Sequence, residues 1–363
     1  MVPHNAQNDS LVMYAAFEDA GAPQCAPSYT WRTGLTTDPS SIYNVGLAML
    51  YLQEGYIVTM PDKEGNKGAF GSGHVEGRQS LDGIRATLAF DKIGLNKDAK
   101  VVGHGYSGGG IQCGWTAALK KSYAPEINSV GWYTGGTPSN LTALVEKING
   151  GPFAGYIAGG LGGVISTYPD VKKYTDKVFT KQAQKDLDFP KKHCQGDITS
   201  HFHFKNFYDK SFSTVGKRFL YEPVIQNTLN ELTMGVNPEF TPDTPVLMVH
   251  GISDEVAPYE AAHTTYKSWC KNGADVEFVN FANPVSAHGV TTVTSSVPGF
   301  LWIRDRLQGK PVQSGCRESK NYDVGINSHA LGEDFESALG LLKGLLGDKI
   351  GPNDQYLKDA LHK

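Results

Sequence analysis

The sequence predicts an α/β fold: a mostly parallel sheet covered by helices and interrupted by a helical insertion. Three observations carry this. Apolar runs rich in Val, Ile, Met and Phe recur along the 363 residues, and their near-continuous apolar character is that of strands buried on both faces. Stretches of helical character separate them. One run ends in a glycine-rich turn that opens a helix, "KVVGHGYSGGG" at residues 100–110.

In chain order the strands are expected at "LVMYAAF" (11–17), "YIVTM" (56–60), "KVVGHG" (100–105), "SVGWYTG" (129–135), "PVLMVHG" (245–251) and "VEFVNF" (276–281). Leu81, Ile84, Leu88 and Ile93 recur near helical spacing ahead of the third strand, and "GWTAALKKSY" follows its glycine turn. Between residues 138 and 231 the rhythm breaks. A small, apolar stretch, "GPFAGYIAGGLGGVIST", gives way to polar helical sequence, and no strand is expected until Pro245. An insertion of this size reads as a cap. The expected organisation is therefore a core from 1–137 and 232–316, a helical cap or lid at 138–231, and a C-terminal helical tail or flap at 317–363.

Composition narrows the function classes. A net charge of −4 without a Lys/Arg block argues against nucleic acid or an anionic membrane surface as partner. No apolar run is long enough to span a bilayer. The N-terminus shows no basic segment followed by an apolar one, so no signal peptide is readable. The five cysteines form no C-x-x-C pair, which disfavours a zinc or redox site; two disulfides with one free thiol, or a set of reduced core thiols, both fit. No cofactor or metal is expected.

The glycine turn admits two registers. Gly103, Gly105 and Gly108 spell G-x-G-x-x-G, the turn of a dinucleotide site, while Gly105 to Gly109 spell G-x-S-x-G around Ser107. The first needs an acidic residue at the end of the following strand to hold a ribose, and "WYTGGTP" has none. The second needs an acid and then a histidine, each just after a later strand, because a serine hydroxyl is a weak nucleophile until a histidine takes its proton. Asp254 follows "PVLMVHG", with Glu255 as its competitor and helix capping as its plainer role. His288 follows "VEFVNF", with His250 inside a strand and His263 inside a helix as alternatives. His104 is expected to be a packed or hydrogen-bonded neighbour of Ser107, and His201 with His203 to belong to the cap surface, since neither lies at ligand spacing from a cysteine or carboxylate.

An oxyanion needs two donors. The backbone N–H of Gly108 follows the nucleophile directly. The second is expected from the loop after the first strand, through the main-chain N–H of Asp19, with Asp62 in the "PDKEGNKG" loop as the alternative.

The stretches "YAAFEDA", "GYIVTMPDKEGNKGAFGSGHVEGRQSLDGIRA", "AKVVGHGYSGGG", "KSYAPEIN", "HGISDEVAPYEAA" and "AHGV" together resemble the fungal secretory lipase family, over nearly the whole chain. The resemblance implies an α/β-hydrolase fold and a Ser107–Asp254–His288 triad with Gly108 and Asp19 as the oxyanion hole. It implies hydrolysis of acylglycerols and other lipid esters without a cofactor, secretion, and a cap that shapes the acyl site; the expected partner is a lipid or other ester substrate, with contact to a lipid interface through the cap as one option. It further implies disulfides between Cys25 and Cys194 and between Cys270 and Cys316, with Cys113 buried behind the elbow. The expected function is a serine carboxylic ester hydrolase, most specifically a triacylglycerol lipase. A short-chain esterase or acyltransferase, or an inactive lipid-binding relic, are the alternatives.

Overall fold

The computed structural model describes residues 1–33, 41–283 and 285–321. Its centre is a sheet of seven strands, β1 (Ser10–Ala15), β2 (Ile57–Thr59), β3 (Lys100–Tyr106), β4 (Ser129–Gly135), β5 (Val246–Gly251), β6 (Val276–Phe281) and β7 (Arg317–Asn321), in the order β2-β1-β3-β4-β5-β6-β7. Every neighbouring pair is parallel.

Among the described residues twelve α-helices connect and cover it: α1 (Pro27–Thr33), α2 (Ser41–Gln53), α3 (Gly73–Leu88), α4 (Gly108–Tyr123), α5 (Leu141–Ile148), α6 (Gly155–Thr167), α7 (Pro169–Val178), α8 (Lys181–Asp188), α9 (Gln195–His201), α10 (Pro223–Glu231), α11 (Tyr259–Lys271) and α12 (His288–Leu307). Alternation along the strands divides the apolar side chains between two cores. Leu11, Met13 and Ala15 pack with α3, α4 and α11, whereas Val12 and Tyr14 pack with Met49 and Leu52 of α2 and Ile303 and Leu307 of α12. Strands buried on both faces need apolar residues at both parities, which is why the runs read as continuous.

Helices α5 to α10 all lie between β4 and β5. Local chemistry starts several of them: the Asn140 side chain accepts from the Ala143 N–H ahead of α5, Thr180 accepts from the Ala183 N–H ahead of α8, and Pro169 and Pro223 open α7 and α10.

The tail departs from expectation. Arg317–Asn321 is not helical but the seventh strand, paired in parallel with β6, so the core extends past residue 316. Its sequence, RESKN, lacks the apolar pattern of the others because its side chains are largely exposed at the sheet edge. Residues 322–363, the remainder of the expected tail, lie outside the described residues. Ile93, expected in the helix before β3, falls instead in a separate 3-10 turn at Asp91–Ile93 after α3 has ended.

Candidate active site

Ser107 sits between the last residue of β3 and the first of α4 with φ of 56°, the left-handed region that a non-glycine residue adopts only under constraint. The turn is forced by what surrounds it. A side chain on Gly105 would overlap the Gly109 carbonyl, and one on Gly109 would overlap the carbonyl of Ala15 on β1. The hydroxyl is thereby lifted above the carboxyl ends of the strands, at the head of a helix whose N-terminal N–H groups point toward it.

His288 is the first residue of α12 and Asp254 follows β5. The structure brings them to the serine in series: His288 Nε2 is 2.8 Å from Ser107 Oγ, and His288 Nδ1 is 2.7 Å from Asp254 Oδ2. The other carboxylate oxygen of Asp254 accepts from the Val256 and Ala257 N–H groups at 2.9 and 2.7 Å. Burial opposes ionisation of Asp254, but the hydrogen bond and charge of His288 and the backbone donors outweigh it and hold the carboxyl below the usual aspartate range.

The competing residues have other positions. Glu255 accepts from the backbone N–H of His288 at 2.9 Å. His250 Nε2 faces the Ala257 carbonyl at 3.2 Å and lies 3.5 Å from Asp254 Oδ2; burial pushes its pKa down, against the raising influence of Asp254. His263 pairs with Glu318 at 3.2 Å. Asp62 bonds the backbone N–H and hydroxyl of Ser28, away from the serine. His104 lies beneath the elbow, its Nδ1 2.6 Å from the Tyr51 hydroxyl and its ring between Tyr14 and Tyr133; burial pushes it down to about 3. His201 stacks on Phe189.

Asp19 also has a positive φ, 51°, and its side chain lies so close to Gly108 that a Cβ there would overlap Asp19 Oδ1. Gln195 Nε2 donates to Asp19 Oδ2 at 3.3 Å and to the Tyr156 hydroxyl at 2.8 Å. The side chains of Cys25 and Cys194 are joined, with Cα atoms 5.5 Å apart, as are those of Cys270 and Cys316 at 5.8 Å; Cys113 is free and buried.

A charge cluster behind this loop has no counterpart in the sequence expectation. Lys63 is fully buried, 2.9 Å from Glu64 and 3.7 Å from Glu76, with Glu18 buried close by. Burial pushes Glu64 up to about 8 and Glu76 up to about 7, against the lowering influence of Lys63. In the sequence the "PDKEGNKG" segment offers Asp62 as an alternative oxyanion donor, and nothing in it signals that Lys63 and Glu64 are buried.

Two adjoining cavities complete the site. One is lined by Asp19, Phe70, Ser107, Gly108, Ile111 and Val256. The other lies within the inserted helices among Val145, Ile157, Leu161, Val164, Phe219 and Leu220. Leu141, Leu144, Tyr156 and Gly160 line both.

The parallel sheet, the strained serine turn and the strand-end loops define an α/β-hydrolase. A sequence profile described as secretory lipase matches residues 38–315, and the chain belongs to the secretory lipase family. It is 90% identical over its full length to the secreted triacylglycerol lipase LIP3 of Malassezia globosa, spanning 80% of that protein. Over 98% of its length it is 41% identical to the secreted triacylglycerol lipase LIP1 of Malassezia furfur, spanning 73% of that one. The closed-state structure of Candida antarctica lipase A superposes with a TM-score of 0.83 at 31% identity, covering 97% of this chain and 84% of that one.

Proposed function

We propose that the chain is a secreted lipase that hydrolyses triacylglycerols through an acyl-enzyme on Ser107. The hydrogen-bonded line from Ser107 Oγ through His288 to Asp254 Oδ2 carries this reading. Ser107 Oγ attacks the ester carbonyl carbon while His288 Nε2 takes the hydroxyl proton. Asp254 holds the Nδ1–H tautomer and stabilises the imidazolium. The tetrahedral oxyanion is bound by the main-chain N–H groups of Gly108 and Asp19. On collapse His288 returns the proton to the departing alkoxide, and water repeats the cycle to release the fatty acid.

The segment 138–231 is assigned the role of a cap. Its apolar cavity adjoins the serine cavity through Tyr156 and Gly160 and suits an acyl chain, which gains about 0.8 kcal/mol for each methylene buried. Exposed Phe204 and Tyr221 on the same segment suit contact with a lipid surface. Triacylglycerol as substrate is supported by the relatives' activity, and export agrees with the two disulfides.

A fluorophosphonate probe followed by peptide mapping tests the nucleophile. Label on Ser107 that abolishes activity is expected; an active preparation labelled elsewhere overturns the assignment. Rates on p-nitrophenyl acetate, butyrate, octanoate and palmitate test the substrate class. A profile peaking at acetate would point to a short-chain esterase instead.

A further inference from the structure

We propose that Gln195 is a positioning residue for the oxyanion loop, acting through Asp19 and touching no reacting atom; this rests on the reading of Ser107 as nucleophile. Gln195 belongs to the inserted helices, not to the sheet, yet its carboxamide reaches the catalytic centre. The two hydrogens of Nε2 serve two elements at once, the Tyr156 hydroxyl of α6 at 2.8 Å and Asp19 Oδ2 at 3.3 Å. The residue before it, Cys194, is bonded to Cys25 on the chain that leaves Asp19, so the backbone of Gln195 is tied covalently to the loop that its side chain contacts. Asp19 holds a left-handed backbone with its carboxylate against Gly108, and small rotations there would swing its N–H away from the developing oxyanion. Gln195 donates to that carboxylate from the inserted helices.

The ionisable groups around this contact are Glu18 beside Asp19, Lys63 and Glu64 after β2, Glu76 of α3, Tyr156 of α6 and Glu255 after β5. The same residues are present in the wild type and in Gln195→Ala, so the ratio of variant to wild type at each pH removes their common titration; in Gln195→Glu the added pH dependence is that of the coupled pair formed by Asp19 and the new carboxyl.

The test compares the full chain with Gln195→Ala and Gln195→Glu on p-nitrophenyl butyrate from about pH 5 to about pH 9. Active sites are counted by fluorophosphonate labelling, so that kcat is per folded site whatever the yield. For Gln195→Ala, kcat is expected to fall about tenfold at every pH with KM within about twofold, a loss of transition-state alignment and not of binding. For Gln195→Glu the loss is expected to be larger at about pH 8, where a carboxylate faces Asp19. It is expected to shrink at least about fivefold at about pH 5, where the new carboxyl takes a proton and donates again. Either variant keeping more than half of the wild-type kcat across the range, a pH-independent loss in Gln195→Glu, or a loss confined to KM overturns the proposal. Wild-type enzyme that turns over without labelling at Ser107 overturns the underlying reading, and the proposal with it.

Discussion

Glu255 grips the main chain of His288 while Asp254 grips its ring: the Glu255 carboxylate accepts from the His288 backbone N–H at 2.9 Å, and Asp254 accepts from Nδ1 at 2.7 Å. Adjacent acids therefore divide the work of holding one histidine. Asp254→Asn is expected to lower kcat by about 10³- to 10⁴-fold, because an amide stabilises neither the required tautomer nor the imidazolium. Glu255→Gln keeps an acceptor for the N–H and is expected to cost less than about tenfold. Equal losses in the two variants would refute this division.

Removing the hydroxyl of Ser107 should be the most damaging single change. Ser107→Ala is expected to reduce kcat by about 10⁴- to 10⁶-fold with the thermal midpoint little changed, since the strained turn is set by its glycine neighbours. Retention of a tenth of the activity on p-nitrophenyl esters would remove Ser107 from the mechanism.

The glycines of α6 should respond differently to substitution. A Cβ on Gly160 meets no atom within 4 Å and would project where both cavities meet, so Gly160→Leu is expected to lower kcat/KM for octanoate and palmitate while sparing acetate. A Cβ on Gly163 would overlap the Phe70 carbonyl, so Gly163→Ala is expected to destabilise the protein by about 1–3 kcal/mol and to depress all chain lengths alike. Chain-length profiles read beside thermal melts separate the two.

The buried charges behind the Asp19 loop set a pH dependence of stability. Glu64 and Glu76 lie near 8 and 7 in the folded protein against 4.5 ordinarily, so the folded state holds protons that the unfolded chain has released. Their contribution is complete below about pH 4.5 and is lost as pH rises toward about 8. Buried His74, His104 and His250, whose pKa values burial lowers, oppose this below about pH 6.5, so the thermal midpoint is expected to fall between about pH 6.5 and about pH 8. Lys63→Met, which strands the neighbouring carboxylates, should steepen that fall. A midpoint that rises steadily over this range would contradict the assignment.

Six of the seven strands were legible because each is buried on both faces and must be apolar at nearly every position; β7 was not, because Arg317–Asn321 is largely exposed and so carries no pattern. The order of Ser107, Asp254 and His288 could be read because each follows a legible strand. Lys63, Glu64 and Gln195 could not. Charged and amide side chains in connecting segments ordinarily face water, and their burial here is decided by tertiary contacts: Lys63 with Glu76 of the following α-helix, and Gln195 with Asp19, brought together from far apart in sequence beside the disulfide between Cys25 and Cys194.

The polarity of β7 also governs what the molecule does when crowded. The last strand of a sheet offers unpaired backbone groups that another chain can copy onto, and side chains decide whether that invitation is taken. Here Arg317 pairs with Glu277, and Glu318 with Asn280 and His263, so an incoming strand would have to settle against fixed ions. Losing β7 would bare the backbone edge of β6, Val276–Phe281, in which Glu277 and Asn280 interrupt the apolar residues. The bond from Cys270 to Cys316, immediately before β7, ties the start of that strand to α11, so the edge that faces neighbouring molecules is held by a covalent link as well as by its ladder.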